Sequence, residues 1–322
     1  MEIRTDDHNG LSAFLATRFK VKKDQVIIDD KNKNNVIDED EVSIEGVNPE
    51  DIAKEIKSYQ SQLNIVQHEV KIYEDACRKF GASKNERVIN ALLNGSKELD
   101  LSKNNIDDNG AKALAEALKA NSSITKLNIR LNKIGDEGAA AIAEALKINK
   151  SLSSIDLSRN YFGSEGIKSL AEALKQNNSL TEFGFDEIDI RDEGAKVLAE
   201  ALKVNNSITT IYLDNNNIGD EGAKAIAEAL KTNNSIKRID LWWNNIGDEG
   251  AVAIAEALKV NKTLTFITLS YNHINNIGAI AMAAALKLNI SLTSILLDHN
   301  NIGYEGEKAL RAAKRALLDI QY

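Results

Sequence analysis

The sequence predicts an α/β solenoid built from a 28-residue repeat. Asparagines and glycines recur at that interval along the last two thirds of the chain, and such self-similarity is the signature of repeat architectures. Each repeat also combines a short alternating segment, typical of a strand, with an Ala/Leu-rich segment of helical spacing. Neither element buries its apolar face alone, so successive repeats must stack.

Two ladders of identical residues set the register of the repeats. The asparagine ladder is Asn104, Asn132, Asn160, Asn216, Asn244, Asn272 and Asn300. The glycine ladder is Gly110, Gly138, Gly166, Gly194, Gly222, Gly250, Gly278 and Gly306. An asparagine side chain can bond backbone groups where the chain leaves a strand, which predicts a structural role. Ile188 occupies the missing asparagine position, and we expect a local distortion there.

The two elements of each repeat predict the layers of the fold. Leu99-Asp100-Leu101 and its copies alternate as a strand does, whereas the following Gly-Ala-x-Ala-Ile-Ala-Glu-Ala-Leu-Lys segments consist of strong helix formers. Stacked strands give a parallel sheet, and stacked helices give an outer wall. Because helices pack about 10 Å apart and strands about 4.8 Å apart, the solenoid must curve with its sheet inside.

A third ladder matches the glycosylation pattern Asn-x-Ser/Thr. Its members are Asn121, Asn149, Asn177, Asn205, Asn233, Asn261 and Asn289. They lie on the same grid, directly after each helical segment. Asparagine tolerates the left-handed conformation that ends helices, so they are interpreted as helix caps.

The full pattern, L-x-L-x-x-N-x-I-G-D-E-G-A-x-A-I-A-E-A-L-K-x-N, resembles the ribonuclease-inhibitor-like class of leucine-rich repeats, also found in NOD-like receptors and Ran GTPase-activating proteins. The resemblance covers residues 96–322 as eight repeats. It implies a curved leucine-rich repeat solenoid that serves as a scaffold for a partner and is not an enzyme. A GTPase-activating regulator is a further alternative, although the acidic tail and catalytic loop of that family are not recognisable.

Composition limits the classes of partner and the cellular compartment that are expected. A net charge of −8 argues against nucleic acid, and no apolar run approaches the roughly 20 residues of a membrane span. A single cysteine fits a reducing compartment, so a cytoplasmic protein is expected. Abundant Asn, Lys and Ile are typical of AT-rich genomes, which leaves open an effector delivered into a host cell cytosol.

Aromatic residues make up only 5% of the chain, and both tryptophans fall at positions that face the inside of the curved sheet. Exposed aromatics with arginine are the usual anchors of protein interfaces, so a protein partner is expected on this concave face. The alternative is that one or two of these rings only cover the sheet. The predicted partner-binding residues are Tyr161, Tyr212, Asp214, Arg238, Asp240, Trp242, Trp243, Phe266, Tyr271 and His273.

Acidic residues also collect on this predicted face. The fourth repeat contributes Glu182, Asp186, Glu187 and Asp189. Complementary charge steers and selects partners, so this composition favours a partner with basic patches.

Residues 30–41, DKNKNNVIDEDE, resemble the twelve-residue calcium loop of EF-hand proteins. Calcium takes six to eight oxygen ligands, which this loop type spaces at fixed positions. The implied ligands are Asp30, Asn32, Asn34, the Val36 carbonyl, Asp38 and Glu41. The sixth position is Asn35 where the family has Gly, and there is no second loop. Calcium is the one cofactor expected, a calcium-regulated switch is an alternative function, and a plain acidic turn is the competing interpretation.

A heptad pattern follows this loop. Its apolar residues are Ile52, Ile56, Tyr59, Leu63, Val66, Val70, Tyr73 and Cys77. The pattern predicts a long helix with Asn48 as N-cap and Pro49 at its first position. An apolar seam needs a partner helix, so either the chain forms a coiled-coil dimer through residues 52–77 or the seam packs within the chain.

These features divide the chain into three predicted regions. They are 1–47 with the calcium-type loop, 48–95 with the heptad helix and an N-terminal cap, and 96–322 with the repeats and a C-terminal cap. A capping-box spacing at Ser83 and Glu86 predicts the start of the N-terminal cap helix, and Gly95 its end. The charged segment 304–322 predicts a helix covering the last repeat.

Overall fold

The structure is a computed structural model that describes residues 8–20, 22–28, 42–313 and 319–322. The chain falls into two compact units, Met1–Lys71 and Ile72–Tyr322, and each is described by itself. The three regions expected from the sequence stay a prediction.

The first unit has a small core of its own. Its elements are α1 (His8–Phe19), a 3-10 helix (Lys23–Gln25), the antiparallel pair β1 (Val26–Ile28) and β2 (Val42–Ile44), and the first part of α2 (Pro49–Phe80). The buried residues of this core are Leu11, Leu15, Ala16, Val26, Val42, Ile44, Ile52 and Ile56.

Helix α2 contains the whole heptad pattern. Asn48 caps it as expected, since its Oδ1 accepts a hydrogen bond from the Glu50 amide at 3.0 Å. Ile52 and Ile56 pack into the core of the first unit, and the Tyr59 ring lies 5.1 Å from that of Phe14. This part of the seam is therefore covered within the chain. The coiled-coil dimer stays a prediction.

The second unit is built on a nine-stranded parallel sheet whose strands are ordered as in the sequence. The strands are β3 (Glu98–Asp100), β4 (Lys126–Asn128), β5 (Ser154–Asp156), β6 (Glu182–Gly184), β7 (Thr210–Tyr212), β8 (Arg238–Asp240), β9 (Phe266–Thr268), β10 (Ser294–Leu296) and β11 (Asp319–Gln321). The helices are α3 (Glu86–Leu93), α4 (Asp108–Ala120), α5 (Asp136–Ile148), α6 (Ser164–Gln176), α7 (Arg191–Val204), α8 (Asp220–Thr232), α9 (Asp248–Val260), α10 (Asn276–Leu286) and α11 (Tyr304–Ala313).

The predicted leucine-rich repeat solenoid is confirmed. Equivalent residues of neighbouring repeats pair directly, so Ile239 at the centre of β8 aligns with Ile211 and Ile267 on either side. All three are fully buried, as is Ile254 on the facing side of helix α9. Mostly aliphatic residues at these positions, with Phe183 of β6 as an aromatic exception, make one continuous layer between sheet and helices, which is how stacked repeats share a core.

The asparagine ladder bonds each repeat to the one before it. Asn244 is 2% exposed, and its Nδ2 donates to the Leu213 carbonyl at 3.0 Å. Its Oδ1 accepts from the amides of Asn216 at 3.1 Å and Ile218 at 3.0 Å. These bonds satisfy backbone groups that have left the sheet, so the predicted structural role is confirmed.

The Asn-x-Ser/Thr asparagines from Asn121 to Asn261 are the C-caps of their helices, whereas the C-cap of α10 is Lys287, and the expected left-handed backbone is wrong. Asn233 is extended (φ −73°, ψ 129°), and its amide donates to the Ala229 carbonyl at 2.9 Å. The residue is buried because its Nδ2 donates to the carbonyls of Leu202 and Asn205 in the preceding repeat. A side chain that bonds backward to a buried backbone does not need the αL conformation.

An aspartate ladder, which the sequence analysis missed, caps the helices across repeats. Oδ1 of Asp220 accepts hydrogen bonds from the amides of Gly247 at 2.7 Å and Gly250 at 2.8 Å, at the start of the next helix. A Cβ at Gly250 would lie 2.7 Å from this oxygen. The Gly-Asp-Glu-Gly motif therefore forms a helix cap between repeats. Its second glycine leaves space for the aspartate of the preceding repeat, which accepts hydrogen bonds from the amides of both glycines.

The fourth repeat is distorted, as expected from Ile188. Arg191 has a positive φ of 55°, whereas the equivalent Gly163 and Gly219 have φ of −100° and −96°, and α7 begins one residue before its grid position. Two ladder residues are replaced here, because Ser164 also stands where the other repeats carry a capping aspartate or, at Asn276, a capping asparagine. With neither bond available, the turn adopts a different path, while β6 keeps its pairing with both neighbours.

Two expectations at the ends of the repeats are corrected. The N-cap of α3 is Asn85, whose Oδ1 accepts from the Arg87 amide at 2.9 Å, so the capping box at Ser83 is wrong. At the other end, residues 319–321 form β11 where a helix was expected. Ile320 is buried and pairs with Ile295, because a final strand satisfies the open edge of β10.

Candidate functional site

The inner face of the sheet carries the aromatic residues singled out in the sequence. In each strand the central residue is buried, and the flanking and following residues line the inner surface. The third residue after each strand has a left-handed backbone, as at Trp243, Tyr271 and His299. Since the same conformation recurs in other repeats, it belongs to the turn and brings equivalent side chains side by side.

Four rings form a continuous aromatic cluster, defined here as Trp242, Trp243, Tyr271 and His299. The Trp242 ring lies 5.1 Å from that of Trp243 and 5.2 Å from that of Tyr271. The Tyr271 ring also stacks on Trp243 at 5.7 Å and on His299 at 4.0 Å. Trp243 is 53% exposed and Tyr271 38%. Large rings that pack on one another yet face solvent form a rigid apolar surface.

Arg238 organises a second group of rings. Its guanidinium lies 3.9 Å from the centre of the Phe266 ring and 5.9 Å from that of Tyr212. The same group donates to Oδ2 of Asp240 at 2.8 Å. Burial, together with the nearby Glu182 carboxylate, raises the pKa of Tyr212 to about 12. The face therefore already holds one arginine between aromatic rings and a carboxylate.

Carboxylates lie close together on three adjacent repeats beside these rings. The Asp214 amide donates to Oδ1 of Asp186 at 3.1 Å, and the Trp242 amide donates to Oδ1 of Asp214 at 3.0 Å. Burial, with the charges of Asp156 and Asp240, raises the pKa of Asp186 to about 6. Burial, with the charges of Asp186 and Asp240, raises the pKa of Asp214 to about 7. Burial and the neighbouring carboxylates thus make Asp186 and Asp214 harder to ionise than exposed carboxyl groups.

A cavity of about 270 Å³ opens on the same face next to these carboxylates. It exists because Gly184 stands where neighbouring repeats carry Asp156 and Tyr212. A Cβ at Gly184 would lie 2.8 Å from Oδ1 of Asp156, so glycine leaves this space open. The lining residues are Arg130, Ser154, Ile155, Asp156, Glu182, Gly184, Asp186 and Tyr212.

The structure brings together eight of the ten predicted partner-binding residues in these groups. Tyr161 is 76% exposed but follows the third strand, and among the described residues it has no ring contact with the aromatic cluster. His273 likewise has none there. His299, which the predicted set omitted, stacks on Tyr271. The cavity was also missed, although a glycine at an inner-face strand position is its sequence signal.

The expected calcium site cannot be placed on this structure, because Asp30, Asn32, Asn34, Val36, Asp38 and Glu41 lie outside the described residues. Within the described ranges, no group of three or more His, Cys, Asp or Glu side chains is placed to hold a metal ion. Among the helices of the described residues, none has the length and apolar content to span a bilayer.

Two family models match parts of the chain. The TMOD/LMOD leucine-rich domain matches residues 83–188. The leucine-rich repeat family matches four segments, at 204–227, 232–255, 260–283 and 288–310. The comparison with curated proteins gives no match.

Solved structures similar to the chain include a leiomodin-1 fragment described as actin-binding site 2, at 23% identity and a TM-score of 0.33. The match covers 48% of this chain and 76% of that fragment. The C-terminal domain of tropomodulin from Caenorhabditis elegans is 19% identical with a TM-score of 0.38, over 46% of this chain and 90% of that domain.

The ribonuclease-inhibitor-like class expected from the sequence stays a prediction. Leucine-rich repeats are found by the family models on both sides of the distorted fourth repeat, and the strand–helix units follow the same period through it. The chain is therefore a leucine-rich repeat solenoid.

Proposed function

We propose that this chain is a protein-interaction module that binds a protein partner on the concave face of its sheet. The observation that carries the proposal is the exposed aromatic cluster around Trp243 and Tyr271. The core of the solenoid is mostly aliphatic, with Phe162, Phe183 and Phe185 among its fully buried side chains, whereas both tryptophans lie on this surface. Tryptophan, tyrosine and arginine are the residues that most often dominate binding energy at interfaces.

The scaffold supports the proposal because it holds these rings in place before a partner arrives. The backbone amide of Trp242 donates to Asp214, and the Trp242, Trp243 and Tyr271 rings pack on one another at 5.1–5.7 Å. Side chains fixed by such contacts lose little conformational entropy on binding, which favours affinity.

The test compares three baits in capture from a cell lysate. Wild type and a Trp242→Ala/Trp243→Ala variant are matched with an Ile148→Ala/Val204→Ala variant. The control removes two apolar side chains, each 56% exposed and so comparable with Trp243 at 53%, from the ends of two outer helices. We expect wild type and the control to recover the same partner and the tryptophan variant to lose it. Recovery of the same proteins by all three baits would contradict the proposal.

Affinity for the recovered partner then gives a magnitude. Loss of a central tryptophan costs at least about 2 kcal/mol at many interfaces, which corresponds to roughly 30-fold weaker binding. Purified actin is one defined protein to include, because residues 83–188 match the TMOD/LMOD leucine-rich domain and a similar leiomodin-1 fragment is described as actin-binding site 2.

The proposal treats the chain as a non-enzymatic binding module in the cytoplasm. Delivery into a host cytosol, GTPase activation and a calcium-dependent switch are separate hypotheses. Each predicts a property that partner capture alone does not measure. The calcium hypothesis rests on the residue pattern of 30–41 and has its own test below.

A further inference from the structure

The charge around the Gly184 cavity is unbalanced. Asp156, Glu182 and Asp186 line it, and Arg130 is the one basic residue among its lining residues. The Arg130 guanidinium stands 3.9 Å from Asp186 and 3.8 Å from Glu187, so it is shared between two carboxylates. Within the described ranges, neither Asp156 nor Glu182 has an ion-pair partner within 4 Å.

A second observation concerns Asp240, which occupies the position in β8 that is equivalent to Gly184 in β6. Asp240 is 5% exposed, and its Oδ1 is buried without a hydrogen-bond partner among the described residues. Its charge raises the pKa of both Asp186 and Asp214, which places the carboxylate within the same electrostatic cluster. A buried carboxylate oxygen without a donor is costly, and a donor supplied from outside would relieve that cost.

The face itself shows which donor fits. The Arg238 guanidinium lies over the Phe266 and Tyr212 rings while it donates to Asp240. One guanidinium therefore already lies between rings and a carboxylate next to Tyr212. The cavity offers the same combination on its side, with the Tyr212 ring and the carboxylates of Glu182 and Asp186. A planar guanidinium can stack on a ring and donate to several carboxylates at once, which an ammonium group does less well.

The size of the cavity points to a side chain. Sites for complete small-molecule ligands measure about 300–1,000 Å³ and are mostly apolar. This cavity, at about 270 Å³, is smaller and lined by charged groups.

We propose that the concave face takes an arginine side chain of its protein partner into the cavity over Gly184, where the guanidinium lies against Tyr212 and donates to Glu182 and Asp186. The inference rests on the proposed function, because it names the chemistry of the partner at that same face. It also gives the excess of carboxylates a role in recognition.

The test uses Nα-acetyl-arginine amide as the probe and Nα-acetyl-citrulline amide as its uncharged isostere. The protein is labelled with 15N-glycine, and the Gly184 amide signal is assigned from its absence in Gly184→Ala. We expect the arginine probe to shift this signal saturably and the citrulline probe to bind at least tenfold more weakly. Equal shifts with the two probes, or no shift with either, would overturn the proposal.

Matched variants separate the cavity from general charge attraction. Glu182→Gln/Asp186→Asn removes two negative charges from the cavity and keeps the side-chain shapes. Glu228→Gln/Glu256→Gln removes the same charge from helices α8 and α9, where each carboxylate pairs with a lysine. We expect at least tenfold weaker arginine binding in the first variant and unchanged binding in the second. Equal weakening in both would show non-specific attraction and overturn the proposal.

The outcomes also separate this inference from the proposed function. If the first variant does not fold, Asp186→Asn alone is compared with Glu228→Gln, and the comparison of the two probes on wild type stands by itself. If the arginine probe binds but the tryptophan variant still recovers the partner, the arginine site is supported and the role of the aromatic cluster is contradicted. If the tryptophan variant loses the partner but the arginine probe does not bind, the proposed function is supported and the arginine site is contradicted.

Discussion

Replacement of Asp214 by asparagine should stabilise the protein at neutral pH, and the gain should vanish in acid. Asp214 is partly buried beside Asp186 and Asp240, and its pKa is raised from 3.8 to about 7. Asparagine keeps the oxygen that accepts from the Trp242 amide at 3.0 Å. It also adds an NH2 group with two N–H donors. Nearby, Oδ1 of Asp240 accepts no hydrogen bond from the described residues.

The sign follows from proton linkage. The folded state binds the Asp214 proton more tightly than the unfolded state does, so this group favours folding most below about pH 4. That contribution is lost as the pH rises from about 4 to about 7, where the folded state must hold the ionised carboxylate. The variant has no such group, so its free energy of unfolding should rise relative to wild type across the same interval.

The magnitude follows from the size of the pKa change. Each pH unit between the folded and unfolded pKa corresponds to about 1.4 kcal/mol, so a rise from 3.8 to about 7 corresponds to about 4 kcal/mol. Asp214 is partly exposed, and solvent screening reduces this value. We expect Asp214→Asn to gain about 2–4 kcal/mol over wild type above pH 7 and about nothing below pH 4.

Urea denaturation followed by far-UV circular dichroism, at several pH values from 4 to 8, measures this difference. Glu256→Gln is the control, because it makes the same change in net charge on the exposed side of α9. The reasoning is refuted if the gain of Asp214→Asn is the same at every pH, or if Glu256→Gln gains equally. A carbon-13 titration of the Asp214 carboxyl with a midpoint near 4 would refute it directly.

Three further predictions concern the ladders and the N-terminal loop. Asp220→Ala should lower the free energy of unfolding by about 1–2 kcal/mol in urea denaturation, because it removes two hydrogen bonds between repeats. The control is Ser164→Ala, at the equivalent position without such bonds, which should cost less than about 0.5 kcal/mol. Equal costs for the two variants would contradict the capping role of Asp220. The Phe162 amide should exchange with solvent faster than the equivalent amides of other repeats, because Ile188 offers no side-chain oxygen to it; equal protection in a hydrogen-exchange measurement would contradict this. Calorimetry should show calcium binding by wild type and none by Asp30→Ala/Glu41→Ala, and an absence of heat in wild type would end the calcium hypothesis.

The fold was predictable because its information is local and repeated. The pattern of a single repeat does not decide between strand and helix at each position. When eight repeats are aligned, the residues that recur in all of them identify the strand, the turn and the helix. The same redundancy made Ile188 stand out, and the distortion expected there is present. Single-copy segments lacked this support: the Ser83 cap was wrong, and the helix expected over 304–322 is present as α11 but gives way to a strand at 319–321.

The candidate site was predictable only in part. Strand alternation was enough to put Trp242 and Trp243 on the inner face, since side-chain direction along a strand has a period of two. It did not show that Arg238 lies between Tyr212 and Phe266, nor that His299 completes the aromatic cluster. Those contacts depend on rotamers and on the spacing of neighbouring repeats, which no single segment encodes.

The sequence by itself determined the period, the order of elements and the side of the sheet on which each residue lies, because these follow from hydrophobic patterns within one repeat and from its recurrence. Only the tertiary structure decided which side chains meet across repeats. The cross-repeat aspartate caps, the cavity over Gly184 and the raised pKa of Asp214 all join residues about one repeat apart. Their physical cause is the close parallel stacking of the repeats, which confines charges and backbone donors from different segments to one partly buried surface.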